Sequence, residues 1–483
     1  ISIIGLGDQA VKEAAERIQA AIDESGYVFP KKRVIISLAP SDKKKSGSHF
    51  DLAMAIGVLQ QNGDIGAKNI EDYGFIGELS LNGQLRACRG ILPMIIAGQK
   101  KGIHKIIVPE QNLREAMLVQ GVEILGFSCL RDVIAYLEGK ISKRTECSKD
   151  NTDSGILGYT LDFSEVKGQE DLIEAVVLAA AGGHNMLMIG EPGCGKTMIA
   201  QRIPTILPEM TEEECLEVTK IYSISGMLPN GHALIKFRPF RAPHHNASLN
   251  ALIGGGVNAM PGEVSLAHNG VLFLDELAEF SRRTLDALRQ PVEDKKVCIS
   301  RVNGTHTFPS NFMFVTAMNP CPCGYYPGTK CRCTDYEVLK YRGKISGPIM
   351  DRIDIQKEVH PVNFFEITGE TTGYSSELLR KKVEIARKIQ QERYSDQAGV
   401  NCNAQMTTAL IQKYCELDQE SLKLLRKTSE EYGYSARVIH KLLRLARTSA
   451  DIDKEEKIRL QDIRKVLDCR DLDKSNSKMV VVK

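Results

Sequence analysis

Eight residues with the spacing G-x-x-x-x-G-K-[ST], Gly190-Glu191-Pro192-Gly193-Cys194-Gly195-Lys196-Thr197, carry the strongest chemistry in the chain. Glycines let backbone N–H groups curl around phosphate oxygens, and a lysine in Lys196's place reaches the β and γ oxygens. A hydroxyl in Thr197's place ligates Mg²⁺, and the helix that follows adds its dipole. A glycine-rich turn alone would say little. Here the apolar run Met186-Leu187-Met188-Ile189 reads as a buried strand leading straight into the loop, and Met198-Ile199-Ala200 suits a helix after it. The stretch predicts a site for ATP and Mg²⁺.

A second apolar strand, Val271-Leu272-Phe273-Leu274, ends in Asp275-Glu276. Beside a phosphate loop, an acid at such a strand tip holds Mg²⁺, the role expected of Asp275 together with Thr197. Glu276 can then take a proton from the attacking water. A third strand, Phe312 to Ala317, leads to Asn319, whose amide can orient that water. Arg352 lies among acids in Pro348-Ile349-Met350-Asp351-Arg352-Ile353-Asp354. It reads either as a surface ion pair or as a charge completing a neighbour's site, where the transition state develops negative charge. Arg437, opening a basic helix, is a second candidate contact for the phosphates. The alternating stretch Lys296 to Phe308, with Asn303-Gly304, predicts a hairpin whose tip carries Arg301 and His306.

Cys321-Pro322-Cys323, seven residues, then Cys331-Arg332-Cys333 set two thiol pairs at the ends of a Gly/Pro-rich loop. Four thiolates so placed can close around a tetrahedral structural Zn²⁺, although C-x-C is tighter than the usual spacing. Reduced thiols packed in the loop are the alternative. Four protein sulfurs leave no open position, so catalytic zinc is not expected. His244-His245, read as neighbours on a strand, should point to opposite faces, and Gly254-Gly255-Gly256 suits a mobile loop.

The elements that position these groups belong to a chain of 483 residues. At roughly 150 residues per domain the length predicts about three domains. Hydrophobic residues make up 42% and charged residues 26%, an ordinary globular balance. With 63 basic and 61 acidic residues, a globally basic nucleic-acid binder is excluded, so any DNA contact must come from a local patch. No apolar run is long enough for a membrane span. Thirteen cysteines, an odd count, and no readable leader predict a reducing, cytoplasmic setting. The first residue is not Met and a strand-like run begins at once, so upstream residues are expected to be missing. A polar linker is expected at 141–160, dividing an N-terminal unit (1–140) from an ATPase core (161–365). Amphipathic helices follow over 366–473, then a tail at 474–483.

Strand, acidic strand, hairpin and Asn-tipped strand in this order resemble an AAA+ ATPase: an α/β P-loop core with a helical lid. On that resemblance Asn319 and Arg437 match the two sensor positions. The segment Leu161 to Gln169, including Val166 and Gly168, matches the one folded around adenine. Arg238 to His245, Gly254 to Gly256, Pro261 to Leu277 and Asn319 to Gly324 narrow the resemblance to the magnesium-chelatase-related family of the ComM type. That resemblance implies a long insertion before the Walker B strand, a homo-oligomeric ring, usually a hexamer, and action on single-stranded or branched DNA as a branch-migration helicase in transformation. The rival it leaves is a chelatase-like motor that remodels a protein partner. Lys236, Arg238, Arg241 and Arg301, repeated around a ring, would make a basic channel. The stretch Gly74 to Arg86 resembles the Lon-protease α+β domain. His49 falls at the nucleophile position and Met94 at the lysine position, so the resemblance implies a relative lacking the Ser-Lys dyad.

Overall fold

The computed structural model describes residues 1–40, 45, 47–66, 69–142, 160–228, 234–256, 258–301, 304–362, 374–397 and 399–473. Residues 143–159 of the expected linker, the tail from 474, and Asn303 in the hairpin turn lie outside these.

The N-terminal unit is mixed α/β. Its helices α1 (Gln9–Glu24) and α2 (Asp51–Asn62) pack together through Ile18, Ile22, Leu52, Ile56 and Leu59. They cover a parallel sheet of β1 (Tyr73–Phe75), β2 (Lys105–Pro109) and β3 (Glu123–Phe127), with α3 (Ile91–Lys100) between β1 and β2. Asp8 caps α1 by accepting from the Val11 N–H at 3.0 Å. Buried Asp51 at the head of α2 is held by a two-pronged pair with Arg17, at 2.8 and 3.1 Å. The Ser48 hydroxyl donates to Glu78.

The central unit starts with α4 (Glu170–Gly182), β4 (Met186–Gly190) and α5 (Lys196–Ile206). The insertion follows, with α6 (Glu212–Ser225), β5 (Phe240–Arg241) and then β6 (Val271–Leu274). Next come α7 (Arg282–Asp294), the antiparallel hairpin β7 (Lys296–Arg301) and β8 (Gly304–Pro309), β9 (Met313–Met318), α8 (Asp335–Arg342) and β10 (Ile355–Val359). The hairpin expected from the alternation is present, in the register Arg301 to Gly304.

Five strands form one parallel sheet in the order β10-β4-β9-β6-β5. Both faces are covered, which is why β4, β6 and β9 are apolar without alternation. The register sets Met318 level with Ile189 and Leu274 level with Thr316. The tips of β4, β9 and β6 therefore meet at one edge, the carboxyl edge where open parallel sheets bind ligands.

The C-terminal region is helical: α9 (Ser376–Arg393), α10 (Gln419–Tyr432), α11 (Ala436–Ile452) and α12 (Leu460–Leu467). Arg380 donates to the Thr205 carbonyl at 2.8 Å, and Arg387 and Gln390 donate to those of Ala180 and Ala181 at 2.8 and 3.1 Å. These are the ends of α5 and α4 remote from the phosphate loop, so the helical region is fastened there.

Candidate nucleotide site

The loop after β4 closes on itself around Lys196. That ammonium is buried and donates to the carbonyls of Gly190 and Glu191 at 2.7 and 2.9 Å, and lies 3.4 Å from Asn319 Oδ1. Gly193 and Gly195 take left-handed backbone (φ +80° and +88°), which turns the loop so that α5 begins at Lys196 with open N–H groups. A Cβ on Gly190 would stand 2.3 Å from the Val359 carbonyl, so only glycine lets β4 and β10 run side by side at the loop's base. Cys194 is buried in the loop, its thiol pushed up by burial. These features leave a tight loop with its backbone N–H groups turned toward one edge of the sheet.

Across the edge, Thr197 Oγ1 donates to Asp275 Oδ2 at 2.7 Å. Mg²⁺ takes oxygen ligands at about 2.1 Å in an octahedron, which sets neighbouring ligands about 3 Å apart. Two hard oxygens already this close fit that ion. Glu276 stands next, exposed and with φ +52°, backbone that is uncommon for a residue with a Cβ. Its Oε2 lies 3.2 Å from His245 Nδ1. Sequence reasoning missed this contact: His244 and His245 are in a turn, not a strand, with ring centres 4.1 Å apart.

The structure thus brings Gly190 to Thr197, Asp275, Glu276 and Asn319 to one edge. It does not bring Arg352 and Arg437 there. Arg352 pairs with Glu293 of α7 and donates to the Pro348 carbonyl at 2.6 Å. Arg437 is 79% exposed, 3.8 Å from Asp351. Arg352 and Asp351, the partner of Arg437, lie just before β10, whose Ile355 is level with Met186 and whose Val359 is level with Gly190. Four strand residues, about 13 Å, separate that end of the sheet from the loop. Val166 is packed into the core, whereas Gly168 is exposed beside Gln169, whose amide donates to the His360 carbonyl at 2.7 Å.

The basic groups expected to line a channel are largely used inside the subunit. Arg238 donates to the carbonyls of Pro208 and Asn269, at 2.5 and 2.8 Å, and pairs with Glu214 at 3.2 Å. Arg241 makes a two-pronged pair with Glu263 at 2.6 and 2.7 Å. That part of the expectation is corrected: carboxylates and carbonyls of the insertion take these guanidiniums. Arg301 remains exposed near the hairpin tip. On the basic helix α11, Lys441 and Arg444 donate to the carbonyls of Ile353 and Met406, and Arg447 is buried against Asp451. The Gly254-Gly255 run is an ordered pair with Met260–Pro261, not an open loop.

The four cysteines after β9 meet. Their sulfurs all lie within 4.8 Å of one another, with Cys321 to Cys323 at 3.3 Å, Cys321 to Cys331 at 3.8 Å and Cys323 to Cys331 at 3.6 Å. Zn–S bonds of about 2.3 Å in a tetrahedron set sulfurs about 3.8 Å apart, so the donor set fits Zn²⁺. Backbone N–H groups of Arg332 and Tyr325 pull the Cys323 thiol down to about 6, while desolvation and the neighbouring thiols hold Cys331 up and Cys333 up to about 12.

Profiles of the magnesium chelatase family match along the chain: "Subunit ChlI of Mg-chelatase" at residues 1–112, "Magnesium chelatase, subunit ChlI" at 162–367, and its C-terminal part at 373–470. The chain belongs to the magnesium chelatase ChlI family. Within this AAA+ family, the competence protein ComM of Haemophilus influenzae is 41% identical over 461 residues, 95% of this chain and 89% of the relative. YifB of Escherichia coli, an uncharacterised protein, is 41% identical over 479 residues, 98% and 92% of the two chains. A weaker likeness, 26% over 103 residues (21% of this chain, 16% of the relative), is to the archaeal Lon protease of Methanocaldococcus jannaschii. The ChlI-family chain is thus an AAA+ protein with a P-loop core, and among its described residues no helix is long and apolar enough to cross a membrane.

Proposed function

We propose that this protein hydrolyses ATP with Mg²⁺ in a ring of its own copies, a hexamer by family resemblance, and couples the cycle to movement along single-stranded or branched DNA. The observation that carries the ATPase reading is the convergence of Lys196, Thr197, Asp275, Glu276 and Asn319 on one edge of one sheet. Bound Mg²⁺ would neutralise charge on the phosphates. Lys196 would exchange its carbonyl partners for phosphate oxygens, Thr197 and Asp275 would hold the ion, and the loop N–H groups would cradle the chain of phosphates. Glu276 would accept a water proton at its exposed carboxylate while Asn319 orients that water. Arg352 and Arg437, remote from their own loop, would serve a neighbouring copy. Val166 and Gly168 would flank the base, and Zn²⁺ would sit on Cys321, Cys323, Cys331 and Cys333. The N-terminal unit would be a non-proteolytic Lon-like domain. A cytoplasmic setting suits the twelve described cysteines, all free thiols.

DNA is favoured over a protein substrate by the competence relative and by the exposed hairpin carrying Lys296, Arg301 and His306. The test is ATP turnover with and without single-stranded and branched DNA, with Glu276→Gln as control. Stimulation by DNA that vanishes in the variant supports the reading. Turnover indifferent to DNA overturns it in favour of a chelatase-like motor acting on a protein.

A further inference from the structure

The thiol cluster is joined to the phosphate loop by contact. Residues 319–334 contain no helix or strand, yet both ends are anchored. The first pair follows β9 directly, and Cys321 is fully buried. The second pair ends at Thr334, which caps α8 by accepting from the Glu337 N–H at 3.3 Å, while its own N–H donates to the Glu337 carboxylate at 2.8 Å. Arg342 of α8 reaches back to the Pro320 carbonyl at 3.3 Å. An ion shared by the two pairs would therefore tie β9 to α8 and fix the shape of the irregular chain between them.

That chain lies on the outer turn of the phosphate loop. Gly324 has φ +89°, and a Cβ there would stand 2.8 Å from Pro192 Cδ and 2.9 Å from its Cγ. A Cβ on Gly328 would stand 3.7 Å from Glu191 Oε1. The loop's base is closed from the other side by the Val359 carbonyl against Gly190. Glu191 and Pro192 are thus held between β10 and the cysteine loop. Proline is rigid and Gly324 has no side chain to yield, so a shift of the cysteine loop must be felt at Pro192.

We propose that Zn²⁺ on Cys321, Cys323, Cys331 and Cys333 is a clamp on the phosphate loop: its occupancy, acting through Gly324 on Pro192, sets the affinity for ATP. On binding, the thiols that are still protonated release their protons to solvent and no electron is transferred. This inference rests on the zinc reading above, and the two can fail separately. A displacement of the loop by about 1 Å is enough to cost a preorganised site tenfold or more.

The experiment measures zinc per chain by atomic emission, and ATP binding with a fluorescent ATP analogue in Mg²⁺, on the purified chain. Three proteins are compared: the natural sequence, Cys331→Ser/Cys333→Ser, and Gly324→Ala, with circular dichroism as the check of folding. The expected result is one zinc per chain in the natural protein, none in the double variant, and a Kd raised about tenfold there. Gly324→Ala, which sets a Cβ against Pro192, should bind the analogue more weakly, and its zinc content and circular dichroism show that the strain of an alanine at φ +89° has left the cluster and the fold in place. It also decides the matter if the double variant does not fold. No zinc in the natural protein, even after reloading with ZnCl₂, overturns the metal reading. One zinc per chain with affinities within twofold in every folded variant leaves the metal in place and overturns the clamp.

Discussion

His245 Nδ1 lies 3.2 Å from Glu276 Oε2, linking the turn after β5 to the acid that follows Asp275. Glu276 also sits in left-handed backbone, at φ +52°. The imidazole orients its carboxylate from the insertion. Replacing His245 with Ala should lower kcat for ATP about tenfold and leave KM within about twofold, since no phosphate contact is lost. His245→Asn, which restores a donor, should recover part of the loss. Glu276→Gln should cost at least about a hundredfold, the usual contribution of a general base. Steady-state kinetics of the three variants checks the order, and a His245→Ala enzyme with unchanged kcat would separate the two residues functionally.

Arg352 and Arg437 stand together at the end of the sheet remote from their own phosphate loop. If they serve a neighbouring copy, Arg352→Ala should leave binding of the ATP analogue nearly intact while cutting turnover about a hundredfold or more. Mixing it with Lys196→Ala should restore turnover, because a ring containing both has interfaces with an intact loop facing an intact arginine. Mixtures that stay as inactive as their components would place the arginine's role within its own subunit.

What was legible in the sequence was what is contiguous in it. Met186 to Thr197, Val271 to Glu276 and Met313 to Asn319 each combine a buried strand with a polar tip, and the local pattern specifies both. The register that aligns those tips follows once the strands lie parallel. Contacts between distant segments were not legible: nothing in the types of His245, Gly324 or Glu115 names a partner. Nor does a guanidinium announce whether it faces solvent or a carboxylate. By type and position Arg238 and Arg241 suit a channel lining, yet the insertion folds Glu214 and Glu263 against them. Arg437 lies toward Asp351 because α9 and α11 fasten to the far end of the sheet, a placement that helical periodicity does not encode.

Glu115 ties the N-terminal unit to the insertion. Its buried carboxylate accepts from the Leu92 N–H at 3.1 Å, the Asn112 amide at 3.3 Å and the Ser223 hydroxyl at 2.5 Å, and the Gly90 N–H donates to the Ser223 carbonyl at 3.0 Å. Glu115→Ala strands those donors without an acceptor, at about 1–3 kcal/mol for each that water cannot reach. The urea midpoint should fall accordingly. Ser223→Ala, which leaves the carboxylate its other two donors, should cost about 1 kcal/mol. Equal midpoints for all three proteins would mean that the two units are joined by other contacts.

His268, just before β6, is buried with Nδ1 accepting from the Asn311 N–H at 3.0 Å and Nε2 3.1 Å from Glu217. That pattern requires a neutral ring with its proton on Nε2. Burial holds the imidazole below the usual histidine range, with Glu217 and Glu214 opposing only in part. Above pH 6.5 the ring is neutral in both the folded and the unfolded chain, and pH has no effect through it. Below pH 6.5 the unfolded chain takes up a proton that the folded chain resists, so stability is lost as pH falls, by up to about 1.4 kcal/mol per pH unit. His268→Gln should be less stable at pH 7.5, having lost the acceptor for Asn311, but should lose less on going to pH 5.5 than the natural protein does. Urea midpoints of the two at both pH values isolate His268 from half-buried His49, which is also held below the usual range by desolvation and contributes equally to each. Parallel losses would assign the acid sensitivity to other groups.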